Sequence, residues 1–275
     1  MKDIITDVVR RELKCYAGLT GTNRAGNKGY ADNFDEPKMF PGRVAEAAAW
    51  KTPTAKEVAD KPWLVGLLRL IFISDMGDAL SKSIPFVYLL QEIIENVTSV
   101  AGRRHLWLWL TKRPGRMAEF AQWLASRGIA WPENLVAMTT VTAQSKASRI
   151  AALRKVPSKF NGLSIEPQFE PLKLDLTGID WVIVGGGSDV LAEPFQVEWA
   201  LDLQQQAKAA GAAFFLKQLG KNPFYQGKPL NLNDKHGGDW NEWPEAWRVR
   251  EFPAGFRTLV GRTDREDTVT VGGSV

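Results

Sequence analysis

From residue 62 onward the chain is written in short apolar runs that each end in polar residues: 70–74 (LIFIS), 106–110 (LWLWL), 135–139 (LVAMT), 162–165 (GLSI), 181–184 (WVIV) and 213–216 (AFFL). Their length and their branched and aromatic content predict strands, and the lack of polar alternation predicts strands covered on both faces. Between them apolar residues recur at helical spacing over 85–100, 114–126, 143–156 and 195–210, the second stretch opening on Pro114 and the last closing before Gly211. Strand and helix therefore alternate roughly every 30 residues, the size of a βαβ unit. A crossover of that kind brings the chain back in the same direction, so a parallel sheet is expected. One link departs from the rule: 166–180 carries Pro167, Pro171 and an alternation of Leu172, Leu174 and Leu176. It reads as a loop with an extended piece.

The first part of the chain has a different grammar. Residues 18–53 are rich in Gly, Asn, Asp and Pro, and only 44–50 (VAEAAAW) reads as a short helix. The tail from 262 has little to bury. The expected organisation is an irregular lead-in segment over 1–60, an α/β barrel-like domain over 61–261, and a flexible tail over 262–275. A chain of 275 residues suits a single α/β barrel of this kind. The fold class is thus α/β, a partial or full TIM-like barrel with parallel strands.

In such folds ligands sit at the carboxyl ends of the strands. Those ends carry Ser74, Asp75 and Asp78; Thr111, Lys112 and Arg113; Thr139, Thr140 and Thr142; Glu166; Gly185, Gly186, Gly187 and Ser188; and Lys217 with Gln218. Glu166 in the mouth of a barrel is costly unless it is paired or meets a ligand. It is a candidate base or amine binder, or else the partner of Lys217 or Lys112. Lys112 and Arg113 suit an anion such as a phosphate or carboxylate, against the plainer reading of two solvated cations at a helix start. Lys217 closes a very apolar strand and must place its amine somewhere polar. The glycine run lets backbone approach a ligand and offers free amides to an anion, or is simply a tight turn. Asp75 and Asp78 offer oxygen ligands to a metal, without a third carboxylate or a His close by. The segment 233–247 (NDKHGGDWNEWPEAW) is a lid or base-stacking loop, or a set of structural plugs.

Composition narrows the setting. Lys and Arg number 35 against 31 Asp and Glu, for a net charge of +4, a mildly basic balance that permits nucleic acid without requiring it. A single cysteine, Cys15, excludes an intramolecular disulfide and by itself cannot hold a structural zinc or an iron-sulfur cluster. The first residues mix charges with short apolar pairs, and no span of about 20 apolar residues occurs. A soluble cytoplasmic protein without a membrane partner is expected.

The segments IFISDMGD, LWLWLTKRPGRM, PENLVAMTTV, RIAALRKVP, LSIEP, IDWVIVGGGS, AAGAAFFLKQLG and HGGDWNEWP, spread in order over residues 50–244, resemble the phage-associated three-Cys-motif family, radical-SAM-like barrels of uncertain function. The resemblance implies a barrel whose three cysteines near the N-terminus hold a [4Fe-4S] cluster that binds S-adenosylmethionine. It matches Cys15 to the last of those cysteines, but Asp7 and Glu12 stand upstream where thiols are required, and Gly187 replaces the acid before Ser188. It also implies a phage setting, host cytoplasm and a protein partner from a two-gene module. The expectation is a degenerate, cluster-free member that binds an anionic nucleotide or nucleic acid through Asp75, Asp78, Lys112, Arg113, Gly185, Gly186 and Ser188. Two alternatives stand beside it: an active radical-SAM enzyme acting on a nucleic acid or nucleotide, and a cofactor-independent lyase or hydrolase using Glu166 as base and Lys217 as electrophile.

Overall fold

A computed structural model describes residues 27, 32, 38–73, 77–189 and 192–259. Among them run nine strands: β1 (Arg69–Ile73), β2 (His105–Thr111), β3 (Leu135–Thr140), β4 (Asn161–Ile165), β5 (Trp181–Gly185), β6 (Phe195–Gln196), β7 (Ala213–Gln218), β8 (Pro223–Tyr225) and β9 (Lys228–Pro229). All six apolar runs read from the sequence are strands, and they form one parallel sheet in the order β1-β2-β3-β4-β5-β7. Spatial order follows chain order, so each crossover steps in the same direction. Right-handed crossovers then leave the helices on a single face, and the sheet curls into a half-barrel instead of winding both ways.

The helices are α1 (Arg43–Ala48), α2 (Phe86–Leu89, continued by a π-helical Leu90–Ile94 and then by Glu95–Thr98), α3 (Pro114–Ala125), α4 (Ser148–Leu153) and α5 (Val197–Ala210). Successive strand residues point to opposite faces. The outer set, Ile71, Trp109, Ala137, Ile165, Val184 and Leu216, packs with Leu89, Phe120, Leu124, Ile150 and Leu203 of the helices. At its centre Trp109 stacks on Trp131 at 5.8 Å and meets Phe120 edge-on at 5.7 Å. Each such buried side chain contributes about 1.5–3 kcal/mol of transfer free energy.

The inner set, Leu106, Leu108, Val136, Met138, Trp181 and Ile183, forms a second core with Phe252, Phe256 and Leu259 of the C-terminal stretch. Trp181 lies 5.1 Å from Phe252 and 5.5 Å from Phe256, so these rings fill the floor of the half-barrel. The same stretch closes one edge of the sheet. Arg250 bridges Phe215 in antiparallel fashion, Leu216 N donates to Val249 O at 2.8 Å, and Glu251 N donates to Phe214 O at 2.9 Å. An edge that would otherwise offer free amides is thereby occupied.

The link between β4 and β5 contains no helix and no strand. Its Leu172, Leu176 and Ile179 are buried in the outer core, taking the place of a helix where two prolines remove the amide donors a helix or strand needs. The extended piece expected there is accordingly irregular chain. At 195–210 the first two residues are strand and not helix, because they pair in parallel with Pro223 and Phe224. Strands β8 and β9 complete this small second sheet as a hairpin closed by Gln226 (φ 51°) and Gly227 (φ 73°), the left-handed pair that a two-residue turn demands. The lead-in segment also reaches the core through α1, whose Ala47 and Ala48 are buried. The Glu92 carboxylate of α2 fixes the start of that helix, accepting from Gly42 N at 2.8 Å and Val44 N at 2.9 Å.

Candidate functional site

Strand alternation decides what faces the mouth. On β4 the inner positions are Gly162 and Ser164, with Glu166 next in phase; on β5 they are Trp181, Ile183 and Gly185; on β7 they are Ala213, Phe215 and Lys217. Ser164, Glu166, Gly185 and Lys217 thus share the upper concave surface. Lys217 Nζ stands 3.1 Å from Glu166 Oε1, with the Glu166 side chain 16% exposed and that of Lys217 51% exposed. The contact spans β5. It is possible because Gly185 has no side chain there: a Cβ on Gly185 would lie 3.1 Å from Glu166 Oε1. Ser164 Oγ donates to Glu166 Oε2 at 3.2 Å. Glu166 Oε1 is enclosed and has no hydrogen-bond partner, since the ammonium is close but poorly aligned. Of the partners open to Glu166 from sequence, Lys217 is the one it meets.

A second cluster sits over β2 and β3. Asp78 accepts from Thr111 Oγ1 at 2.8 and 2.9 Å, from Leu80 N at 3.0 Å and from Lys112 N at 3.3 Å, and its Oδ2 lies 3.0 Å from Arg113 Nη1. This carboxylate, 16% exposed, is consumed in fixing the loop after β1 to the end of β2. The Lys112 side chain is exposed. A third cation joins them that the sequence reading missed. Arg149 of α4 is half-buried and donates Nη1 to Thr140 O at 2.8 Å. Burial holds its guanidinium below the ordinary pKa; Asp78 works against that depression and Arg113 adds to it. The signal available in sequence was a cation in the first turn of a helix leaving the mouth, where the helix dipole disfavours positive charge.

The glycine turn serves packing. Gly186 N donates to Gln218 O at 3.1 Å, and Gln218 Nε2 donates back to Gly186 O at 3.1 Å. A Cβ on Gly186 would lie 2.3 Å from Leu219 O, and one on Gly220 (φ 80°) would lie 2.6 Å from Gly187 O. These backbones touch, so the Gly186 amide is turned to Gln218 and Gly185 contributes an absent side chain. Ser188 follows the turn, half-buried. Asp75 and Cys15 lie outside the described residues.

The tryptophans of 233–247 pack on the outer core. Trp243 is 2% exposed, and Trp247 packs edge-on against Tyr225 at 4.8 Å. Arg250 threads between them, its guanidinium 4.2 Å from the Trp63 ring centre, 5.1 Å from Trp243 and 5.3 Å from Trp240. It donates to the carbonyls of Leu216 (3.2 Å), Lys217 (2.8 Å) and Gly238 (2.8 Å), and burial lowers its pKa to about 10. His105 sits at the opposite end of β2, buried, with one ring nitrogen 3.0 Å from Ala48 O. At that same far end a shallow groove of about 420 Å³ is lined by Phe160, Asp180, Ala213, Glu251 and Phe252. Its two carboxylates accept backbone amides, Asp180 from Asn161 and Glu251 from Phe214, which marks it as a structural seam.

The cluster chemistry implied by the resemblance needs three thiolates, and the chain has one cysteine. The donor set does not fit a [4Fe-4S] cluster. Among the described residues, no group of three or more His, Cys, Asp or Glu is placed to hold a metal ion, and no helix is long and apolar enough to cross a membrane.

A family model described as a protein of unknown function (DUF5131) matches residues 12–253. The chain belongs to this DUF5131 family. No curated protein and no solved structure matches it. The DUF5131 match spans every strand of the half-barrel together with both polar clusters of its mouth.

Proposed function

We propose that the mouth of the half-barrel binds an anionic ligand of the nucleotide or nucleic-acid class. The observation that carries the reading is Arg149: a half-buried guanidinium that donates to one carbonyl and to no carboxylate among the described residues, within electrostatic reach of Arg113. A half-desolvated cation whose one nearby carboxylate, Asp78, is already engaged by Thr111 and Arg113 is costly in an empty site and favourable once an anion arrives. Planar guanidinium groups suit the paired oxygens of a phosphate. The barrel descends, in this reading, from radical-SAM enzymes and has lost the cluster, and its setting is a phage two-gene module with a protein partner. Iron and sulfide analysis of anaerobically reconstituted protein tests the loss; a stoichiometric cluster refutes it.

Binding is tested by titrating the full chain with a labelled single-stranded oligonucleotide and with mononucleotides across a salt series. Arg149→Leu is expected to weaken both by about 10-fold or more, the worth of a charge-assisted bond, and to lower the salt slope by about 1. Arg127→Leu, on an exposed guanidinium stacked 3.8 Å over Trp123, serves as the neutral control. Equal binding by the Arg149 variant and the unaltered chain overturns the reading.

A second reading rests on the Glu166–Lys217 contact: a carboxylate and an ammonium 3.1 Å apart at a strand end are also the parts of a cofactor-independent lyase or hydrolase. Turnover that survives Lys217→Met removes it.

A further inference from the structure

The polar group at the ends of β4 and β7 has a direction as well as a charge. Read across the mouth it presents Lys217 Nζ, a donor; Glu166 Oε1, an enclosed acceptor with no hydrogen bond; and Glu166 Oε2, an acceptor that takes one bond from Ser164 Oγ and keeps a free lone pair. Donor, acceptor, acceptor is the hydrogen-bonding order of a cytosine edge. Its complement among the bases is guanine, whose Watson–Crick edge offers the O6 acceptor, then the N1–H and N2–H₂ donors. Adenine offers a donor where Lys217 stands. Uracil sets its O2 acceptor against the carboxylate, and cytosine repeats the pattern of the site itself.

We infer that this Glu166–Lys217 pair recognises guanine, making the ligand of the mouth a guanine nucleotide, free or as an unpaired residue in a strand. The inference rests on the phosphate-binding reading above and deepens it. Geometry supports the combination. Arg113 follows β2, Arg149 is anchored on the last carbonyl of β3, Glu166 follows β4 and Lys217 ends β7 across Gly185. Glu166, to which the Lys217 ammonium reaches back from two strands farther on, is therefore one to two strand spacings from these cations, about 5–10 Å, which is the order of the reach from a nucleotide's phosphate to the far edge of its base. On the rim over β3 and β4 stands Phe169, 41% exposed and fixed by its amide to Thr142 O at 3.3 Å, an aromatic face of the kind on which bases stack. Lys217, half exposed on a four-carbon stem, can rotate from over Oε1 to let the base in and then meet O6. Gly185 is the residue that leaves room: a Cβ at that position would press on Glu166 Oε1 at 3.1 Å.

The experiment is a calorimetric comparison of GMP, AMP, CMP, UMP and IMP on the unaltered full chain, followed by Glu166→Gln and Arg149→Leu. The expected result is GMP bound about 10- to 100-fold more tightly than AMP, CMP or UMP, with IMP, which lacks the N2 amine, between them. Glu166→Gln should erase that preference, since an amide replaces an acceptor by a donor, while Arg149→Leu weakens all five alike. Five nucleotides that bind equally, all weakened by Arg149→Leu, overturn the guanine assignment and leave the phosphate reading standing. Absence of binding by all five overturns the guanine assignment, and absence of binding by the labelled oligonucleotide as well overturns both. The preference is read first on the unaltered chain, so a poorly folding variant does not shield the inference. Competition between GMP and an oligouridylate carrying one guanosine then separates a free nucleotide from an unpaired base in a strand.

Discussion

Replacing Gly186 with alanine tests the claim that the glycine turn is a packing device. The new methyl would sit 2.3 Å from Leu219 O and 2.8 Å from Leu219 C, both backbone atoms, and 3.0 Å from Phe195 Cβ. Carbon and oxygen settle no closer than about 3.3 Å, so the ends of β5 and β7 must part by roughly 1 Å. Two hydrogen bonds of 3.1 Å cross this seam, Gly186 N to Gln218 O and Gln218 Nε2 to Gly186 O, and both fail at that separation. Losing them costs about 1 kcal/mol each, and the strain of overpacking adds about 1–3 kcal/mol. The expected loss is therefore about 3–5 kcal/mol. Urea denaturation followed by tryptophan fluorescence reads it. The matched control is Gly115→Ala in the first turn of α3, where a Cβ meets nothing within 4 Å; there alanine should be neutral or stabilising by up to about 1 kcal/mol. A Gly186→Ala midpoint within 1 kcal/mol of the parent, on the scale of overpacking costs, refutes the close-packed turn and restores it as a candidate anion cradle.

Two further outcomes follow from buried basic side chains. His105 is held neutral by burial, so its folded-state pKa lies below the ordinary value of 6.5; a depressed base stabilises fully above its unfolded pKa, and the protein should lose up to about 1.4 kcal/mol per pH unit as pH falls below that value. In His105→Gln the fall over that window in a pH series of urea midpoints should shrink, and an unchanged fall assigns it to other groups. Arg250→Lys keeps the charge but loses the fork that reaches three carbonyls and the plane that stacks on Trp63. A loss of about 2–4 kcal/mol in thermal or urea unfolding is expected from charged hydrogen bonds of about 1.5–3 kcal/mol each, partly replaced by the ammonium; a neutral result places the guanidinium's contribution in charge alone.

The strands were readable because each is a local event: a run such as LWLWL needs no knowledge of its neighbours to declare itself, and the strand ends pointed directly to Glu166, Lys217, Arg113 and Asp78. What those residues do to one another was not local. That Glu166 meets Lys217 and not Lys112 depends on strand order, on inner and outer phase, and on a bare Gly185 in the strand between them. Arg149 escaped because its role comes from a carbonyl on another element, Thr140 O, and its helix is short. The glycine run was legible as backbone without side chains, yet whether that space holds a ligand or the next strand is a question of tertiary approach, here answered by Leu219 and Gly220. The small second sheet was invisible because two of its strands are two residues long, too short for any periodicity.

The stretch 249–259 seals the open side of β7 and also plugs the floor beneath Trp181. Both tasks fall to residues made long after the six strands they complete. On the ribosome, a nascent chain halted at residue 240 would hold a full set of sheet residues with a bare edge and an unfilled hollow, the kind of surface on which unfinished chains stick to one another. Maturation of this fold is thus gated by the emergence of residues 249–259, and chaperone dependence during synthesis should be concentrated in the interval before they emerge.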